Sequence, residues 1–555
     1  MFKVIKKHRS ILLLLVLGFI LLRFSGLDLP YHQDENKWIG ITMAGIPHPP
    51  LTGVFLVSAN WFFGSEHLRF LPFILGIINL LLLYWLVNYK YGKIEAIWSS
   101  LFFIVSFYSV LASLMVDTDG QVLPLFFLLS ASTYYKWRDC FDFKKRLGWG
   151  ILLLFFVLAG FLVKLSFVIA LGALALDFLY SQKNKISRKL MIKCLGVLFA
   201  LAFFLTFLFF IARHIIPTFD LSRSFAHWKV FFALSDRNFL QTGIQFFKAV
   251  MYASPLLVAP LLFLTKDLAK KLSFFIFFLV LGLIFYLLLF DFSSGALDRY
   301  FQFMIVPLSV ISGVVMTHIL QSAGGQIWEK SRRFIILGLL ISAGVFFLQF
   351  VPHFVPSLWP KTEWFNRALS FKWNFVFPFT GGSGPLGFYI SWLFMAVVWL
   401  LSLSLTIMAF LKSQWRKPIW VLILILGLTY NAVFIEEYLF GKINGNPNYL
   451  LEKTLVFIEN NNDIKKVINY NNIGLYKLTK IGKFERRLYV APKHEAVYAE
   501  ELPKFKGHFM VIDMPRLDPN GPYAKYFSSC GVVYEAYSQK ISSKVYDCRK
   551  VTYSP

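Results

Sequence analysis

Long apolar runs dominate the chain, separated by short basic clusters. Runs at 10–24, 69–88, 94–115, 120–135, 149–163, 165–180, 194–216, 248–264, 272–290, 300–320, 334–352, 388–411 and 419–439 approach the ~20 residues a helix needs to cross ~30 Å of hydrocarbon. The fifth and sixth are short and nearly fused around Lys164, so the pattern predicts about 11–13 transmembrane helices. From Lys442 onward the chain turns polar, with Asn-rich turns at 444–448 and 460–462 and short β-like runs at 466–469, 488–490 and 509–512. The expected fold is mainly α: a polytopic membrane domain over 1–440, followed by a small extracytoplasmic α/β domain over 441–555.

Charge fixes the expected orientation. With the N-terminus cytoplasmic, the inner loops 3–9, 90–93, 136–146, 183–193, 266–271, 330–333 and 412–417 carry 25 Lys and Arg, against 13 in the opposite loops between the runs. The first apolar run is long for a signal peptide and has no small-residue cleavage site after it, so it reads as a retained helix. The outer segments of note are 25–68, 217–247, 291–299 and 353–387; the first and last are rich in aromatics and Pro, which suits interfacial helices that roof a cavity.

Composition agrees. A chain that is 57% hydrophobic, with 63 Phe, 15 Trp and mean hydropathy +0.61, exceeds what one soluble core can bury. The net charge of +26 is dispersed among loops rather than gathered on one face, which excludes nucleic acid as the expected partner. Cys140 and Cys194 fall on the expected reducing side, whereas Cys530 and Cys548 share the outer domain. Those two either form a disulfide or remain two thiols; spacing alone does not choose.

Four ionisable clusters lie on the expected outer face. The first loop reads Tyr31-His32-Gln33-Asp34-Glu35-Asn36-Lys37-Trp38 and then His48-Pro49-Pro50; its adjacent acids are either a solvated loop or groups facing substrate. Asp117 and Asp119 flank Thr118 on a tight turn after the third run, with no basic residue beside them in the sequence. Lys164 is the single charge between two apolar runs: a snorkelling anchor, or a cation for a phosphate at headgroup level. Asp298-Arg299-Tyr300 opens the tenth run, with Pro307 deeper; Arg299 either pairs with Asp298 or offers its fork of donors to phosphate. Their coincidence on one face fits a site that holds an anionic lipid with cations and activates a hydroxyl with a carboxylate.

These landmarks, with Arg69-Phe70-Leu71-Pro72 opening the second run and Gly160-Phe161-Leu162-Val163 before Lys164, resemble the GT-C membrane glycosyltransferases. Within them, the resemblance is to the branch of the protein O-mannosyltransferases and the aminoarabinose and galacturonic acid transferases of lipid A. It spans residues 1 to about 320; Asn36-Lys37 and Val116-Asp117-Thr118 depart from the family pattern, which bears on donor sugar and acceptor. The resemblance implies a bacterial inner-membrane enzyme that moves a sugar, with inversion, from a polyprenyl-phosphate donor to a lipid or glycan acceptor outside, lipid A included, or to protein. Asp34, Glu35 and Asp119 would be the catalytic carboxylates, with Asp34 taking the acceptor proton. Lys164, Arg299 and Tyr300 would bind the donor phosphate, and His48, Asp117 and Asp298 would complete substrate binding. His48 reads equally as a loop-packing residue beside two prolines. No metal is expected from ligand spacing, and no cofactor; a divalent cation between Asp34 and Asp119 is the open alternative.

The rival classes are a lipid or sugar transporter and a polymerase or ligase of polyprenyl-linked glycans. A transporter would show inverted repeats and helices broken near mid-membrane, neither of which the sequence displays. A polymerase or ligase would put Arg in large outer loops; Arg213, Arg223 and Arg237 answer to that, while the acidic first loop does not.

Overall fold

In the computed structural model each of the thirteen apolar runs contains helix, the twelfth after a short strand at its start. The structure describes residues 8–43, 48–182, 188–215, 222, 229, 237–292, 298–321, 328–357, 362–380, 386–470, 472–488 and 501–551. Among them, eight helices are long and apolar enough to cross a membrane, and the pair Lys93–Val105 and Phe107–Leu114, bent by 65°, reaches that length and apolarity when taken together. Four further apolar helices are shorter: Pro50–Phe63, Leu165–Ser181, Phe199–Ile215 and Ser273–Leu289. Val122–Asp139 fills the fourth run but carries Lys136, Arg138 and Asp139 in its last turn. Side chains such as Leu13, Leu14, Phe203 and Leu340 are exposed from apolar helices, which is stable only where lipid is the solvent. The protein is a multi-pass membrane protein.

The chain forms two units. The first comprises Met1–Leu27, Trp38–Ser294 and Asp298–Gly324. Helices pack closely there because small residues meet: a Cβ on Gly313, in Ile305–Gln321, would stand 2.2 Å from Ser99 Oγ in Lys93–Val105. The bent span has an identifiable cause. Ser106 is extended (φ −63°, ψ 123°), so the helix stops and restarts, and carbonyls at the break lose their helical donors. Arg23, fully buried at the end of the first span, supplies donors: Nη2 to Ile104 O (3.2 Å) and Ser109 Oγ (3.1 Å), and Nε to Ser113 Oγ (2.6 Å). The restarted helix, Phe107–Leu114, is buried along its whole length and delivers the chain to the Met115–Gln121 turn.

The second unit comprises Asp28–Lys37, Gly295–Leu297 and Gly325–Pro555. The helices Trp328–Phe347, Trp392–Leu411 and Arg416–Leu439 pack on one another. A hairpin, β1 (Val376–Phe379) and β2 (Phe388–Ser391), pairs antiparallel with Val376 opposite Ser391. Then come β3 (Val467–Tyr470), β4 (Phe484–Leu488), β5 (His508–Ile512), β6 (Gly531–Ser538) and β7 (Ile541–Asp547), in the spatial order β4-β3-β5-β7-β6. β3 runs parallel to β4 and β5, while β7 runs antiparallel to β5 and β6. Leu450, Leu451, Leu455 and Ile458 of the helix Pro447–Asn460 cover one face, and Tyr523, Tyr526 and Phe527 of Pro522–Ser528 cover the other. Cys530 and Cys548 are bonded, closing the choice that spacing left open. Cys140 is a free thiol, and the side chain of Cys194 lies outside the described residues.

Candidate functional site

The Met115–Gln121 turn is held from both sides. The Thr118 amide donates to Asp117 Oδ1 (2.5 Å), and Asn79 Nδ2 reaches both the Gln121 carbonyl (2.9 Å) and its side-chain oxygen (2.8 Å). Gly120 is required by space: a Cβ there would lie 2.6 Å from the Ala112 carbonyl oxygen and 3.0 Å from Gln302 Oε1. Lys164 sits where Phe143–Val163 ends, with extended backbone (φ −157°, ψ 138°) that halts the helix before Leu165–Phe167. Gly160 permits that break, since its neighbour is the Phe167 ring, 2.5 Å from where a Cβ would stand.

The fold closes two ion pairs on this turn. Lys164 Nζ donates to Asp119 Oδ1 (2.8 Å) and Oδ2 (2.6 Å), and both side chains are about 5% exposed. Arg299 Nη1 stands 2.9 Å from Asp117 Oδ2. These acids have no basic neighbour along the chain, but the fold brings them Lys164 and Arg299, 45 and 182 residues downstream. It also places Arg299 on Asp117, while the Asp298 side chain lies outside the described residues. Tyr300 joins the cluster: Lys164 Nζ is 4.3 Å from its ring centre and the Arg299 guanidinium 5.3 Å. Tyr286 stacks on Tyr300 at 5.8 Å. Burial pushes the Asp119 carboxyl above its ordinary value, and the Lys164 ammonium opposes that rise. Beneath the pair, Asp119, Ser166, Tyr286 and Tyr300 share a cavity of about 40 Å³ with apolar side chains.

Two cations and two carboxylates, all nearly water-free, form a neutral set that holds only while each charge keeps a partner. Such a set is primed for exchange: an entering phosphate can take the donors of Lys164 or Arg299 as the carboxylates turn to a sugar or hydroxyl.

Residues 47–210 match the family model described as dolichyl-phosphate-mannose-protein mannosyltransferase, a span that contains Asp117, Asp119 and Lys164. The fold is similar to the crystal structures of ArnT from Cupriavidus metallidurans in the apo state (TM-score 0.54) and bound to undecaprenyl phosphate (TM-score 0.55). Each shares 13% sequence identity, covering 96% of this chain and 97% of that one. The chain shares the fold of ArnT over nearly its whole length. No curated protein sequence matches it.

Of the residues singled out in the sequence, Asp117, Asp119, Lys164, Arg299 and Tyr300 are brought together within the first unit. His48 is buried in the same unit at the start of Pro50–Phe63, its ring 6.0 Å from that of Trp38. Glu35 belongs to the second unit, buried in the 3-10 turn Gln33–Lys37, where its Oε2 accepts the His32 amide at 3.2 Å. Asp34 lies in that same turn, and its side chain is outside the described residues. The sequence reading missed Gln302. Its side chain is fully buried against Gly120, and neither amide atom has a hydrogen-bond partner among the described residues. Its position follows from local structure: Asp298–Met304 is a 3-10 helix, whose i and i+3 side chains eclipse, so Gln302 lies on the face of Arg299.

Proposed function

We propose that the enzyme transfers a glycosyl unit from a polyprenyl-phosphate donor to an acceptor on the outer side of a bacterial inner membrane, with inversion at the sugar. The observation that carries this reading is the pairing of buried Lys164 and partly buried Arg299 with two buried acids, Asp119 and Asp117. Likeness to a structure that holds undecaprenyl phosphate supports it. In the proposed step the acceptor oxygen attacks the anomeric carbon, the bond from that carbon to the phosphate oxygen breaks, and its electron pair leaves on the phosphate. Lys164 and Arg299 neutralise that charge beside Tyr300, and Asp34 takes the acceptor proton. Asp119 and Glu35 shape the site, while His48, Asp117 and Asp298 complete substrate binding. No cofactor enters the step, since the two side-chain cations supply the positive charge.

The acceptor we favour is a glycolipid such as lipid A or an envelope glycan. A protein hydroxyl is the second reading, supported by the family description over residues 47–210. The basic loops support a cytoplasmic N-terminus. The Cys530–Cys548 bond suits a C-terminal domain, 441–555, on the oxidising side. The test compares membranes containing wild type, Asp34→Asn and Lys164→Ala, with lipid extracts and envelope glycans read by mass spectrometry. Loss of one sugar-sized mass in both variants, at equal protein level, is expected and identifies donor and acceptor together. An unchanged profile in both would overturn the assignment and favour a transporter.

A further inference from the structure

The helix Val122–Asp139 starts beside Asp119 and runs 18 residues, roughly 27 Å, to a second charged cluster that glycosyl transfer does not use. Lys90 ends the helix Phe70–Lys90, Arg138 lies in the last turn of Val122–Asp139, and Lys270 and Lys271 end Lys266–Lys271. With Tyr91 and Ser273 they line a cavity of about 460 Å³, many times the ~30 Å³ share of one water.

Four cations line it against one acid, Glu95. That carboxylate folds back on its own helix start, its Oε2 lying 2.6 Å from where a Cβ on Gly92 would stand. Three other acids hold the cations from outside the lining: Asp139 for Lys90 (3.2 Å), Asp177 for Arg138 (2.8 Å) and Asp267 for Lys270 (3.6 Å). Asp177 is itself fixed by the Tyr134 hydroxyl (2.7 Å) and by Ser273 Oγ. Lys90 and Arg138 are therefore positioned before any ligand arrives, which lowers the entropy cost of binding one. Ser273 also opens the 12-residue helix Ser273–Ile284, whose N-terminal amides favour an anion.

The depth of the cavity identifies the anion. It lies where spanning helices end, beside an aromatic band in which Lys136 Nζ sits 3.6 Å from the Tyr89 ring centre and 5.7 Å from that of Trp85. Tyr and Trp at helix ends mark headgroup level. We propose that this cavity binds the phosphodiester headgroup of an anionic phospholipid, at the opposite end of the helix from the catalytic turn.

The test uses purified full-length protein in detergent, titrated with phosphatidylglycerol, phosphatidylcholine or inorganic phosphate, with bound lipid read by native mass spectrometry and stability by thermal unfolding. Phosphatidylglycerol is expected to be retained selectively and to raise the melting temperature. The triple variant Lys90→Ala, Lys270→Ala, Lys271→Ala should bind it about 100-fold more weakly, each such lysine contributing roughly a factor of five. The matching triple Lys→Arg variant keeps the charge and should keep the lipid, which separates lost binding from lost folding. Equal retention of both lipids, or undiminished retention in the alanine variant, would overturn the proposal. Stabilisation by inorganic phosphate equal to that by phosphatidylglycerol would overturn the lipid assignment in favour of a free phosphate.

Discussion

The two ends of the helix Val122–Asp139 spend charge in opposite ways. At its start, buried Asp117, Asp119 and Lys164 and partly buried Arg299 are matched one to one. At its end, Lys90, Arg138, Lys270 and Lys271 face an open cavity whose balancing acids mostly lie outside the lining. A buried charge without a partner is penalised by several kcal/mol, whereas a charge at the interface keeps its water and contributes by attraction at low cost. The first arrangement therefore ties stability to chemistry, and the second leaves them separable.

The largest effect that distinguishes the two ends is expected from Asp119→Asn, which strands the Lys164 ammonium in a dry site. Unfolding stability should fall by about 3–5 kcal/mol, and sugar transfer should be lost. Asp119→Asn combined with Lys164→Met should recover most of the stability and none of the transfer. Recovery of transfer as well would break the comparison, because the pair would then be only structural. Next comes Arg299→Lys, which keeps the charge on Asp117 but removes the guanidinium fork. We expect kcat/KM to fall about tenfold or more, with the melting temperature little changed. The smallest effect belongs to the open end, where the triple Lys→Ala variant should keep transfer rates within about twofold of wild type in a membrane of fixed composition, since surface ion pairs contribute ~0–1 kcal/mol each.

Much of the fold was legible because lipid is an unforgiving solvent. A helix exposed to hydrocarbon must be apolar over its length, so each run announced itself, and the basic clusters between runs marked the ends. The irregular places were harder to read. Nothing in Phe102-Phe103-Ile104-Val105-Ser106-Phe107 foretells a 65° break, because the group that satisfies the freed Ile104 carbonyl is Arg23, 81 residues away. The helix Pro50–Phe63 lies hidden in what reads as a loop, although Pro50 at its first turn and the run Leu51–Phe63 are a fair start signal. In the sheet, β5 shows as an apolar run, but β6 exposes most of its residues and so lacks the pattern that marks a buried strand. At the site, the acids and cations were visible as separate clusters on one face. That Lys164 meets Asp119 and Arg299 meets Asp117 is a property of packing, and so is the burial of Gln302 against a glycine.

The Asp119–Lys164 pair also bears on how the protein is made. Lys164 lies between two apolar helices, one of 21 residues and one of 14, that would otherwise enter the bilayer as a simple hairpin. An ammonium left at the tip of that hairpin would be drawn toward water until its carboxylate is in place. The carboxylate belongs to a turn synthesised earlier, and that turn is itself positioned by a helix whose break is stitched by Arg23. Settling of the later hairpin is thus tied by charge to a turn that the first span helps to hold, so two segments far apart in the chain share one electrostatic condition.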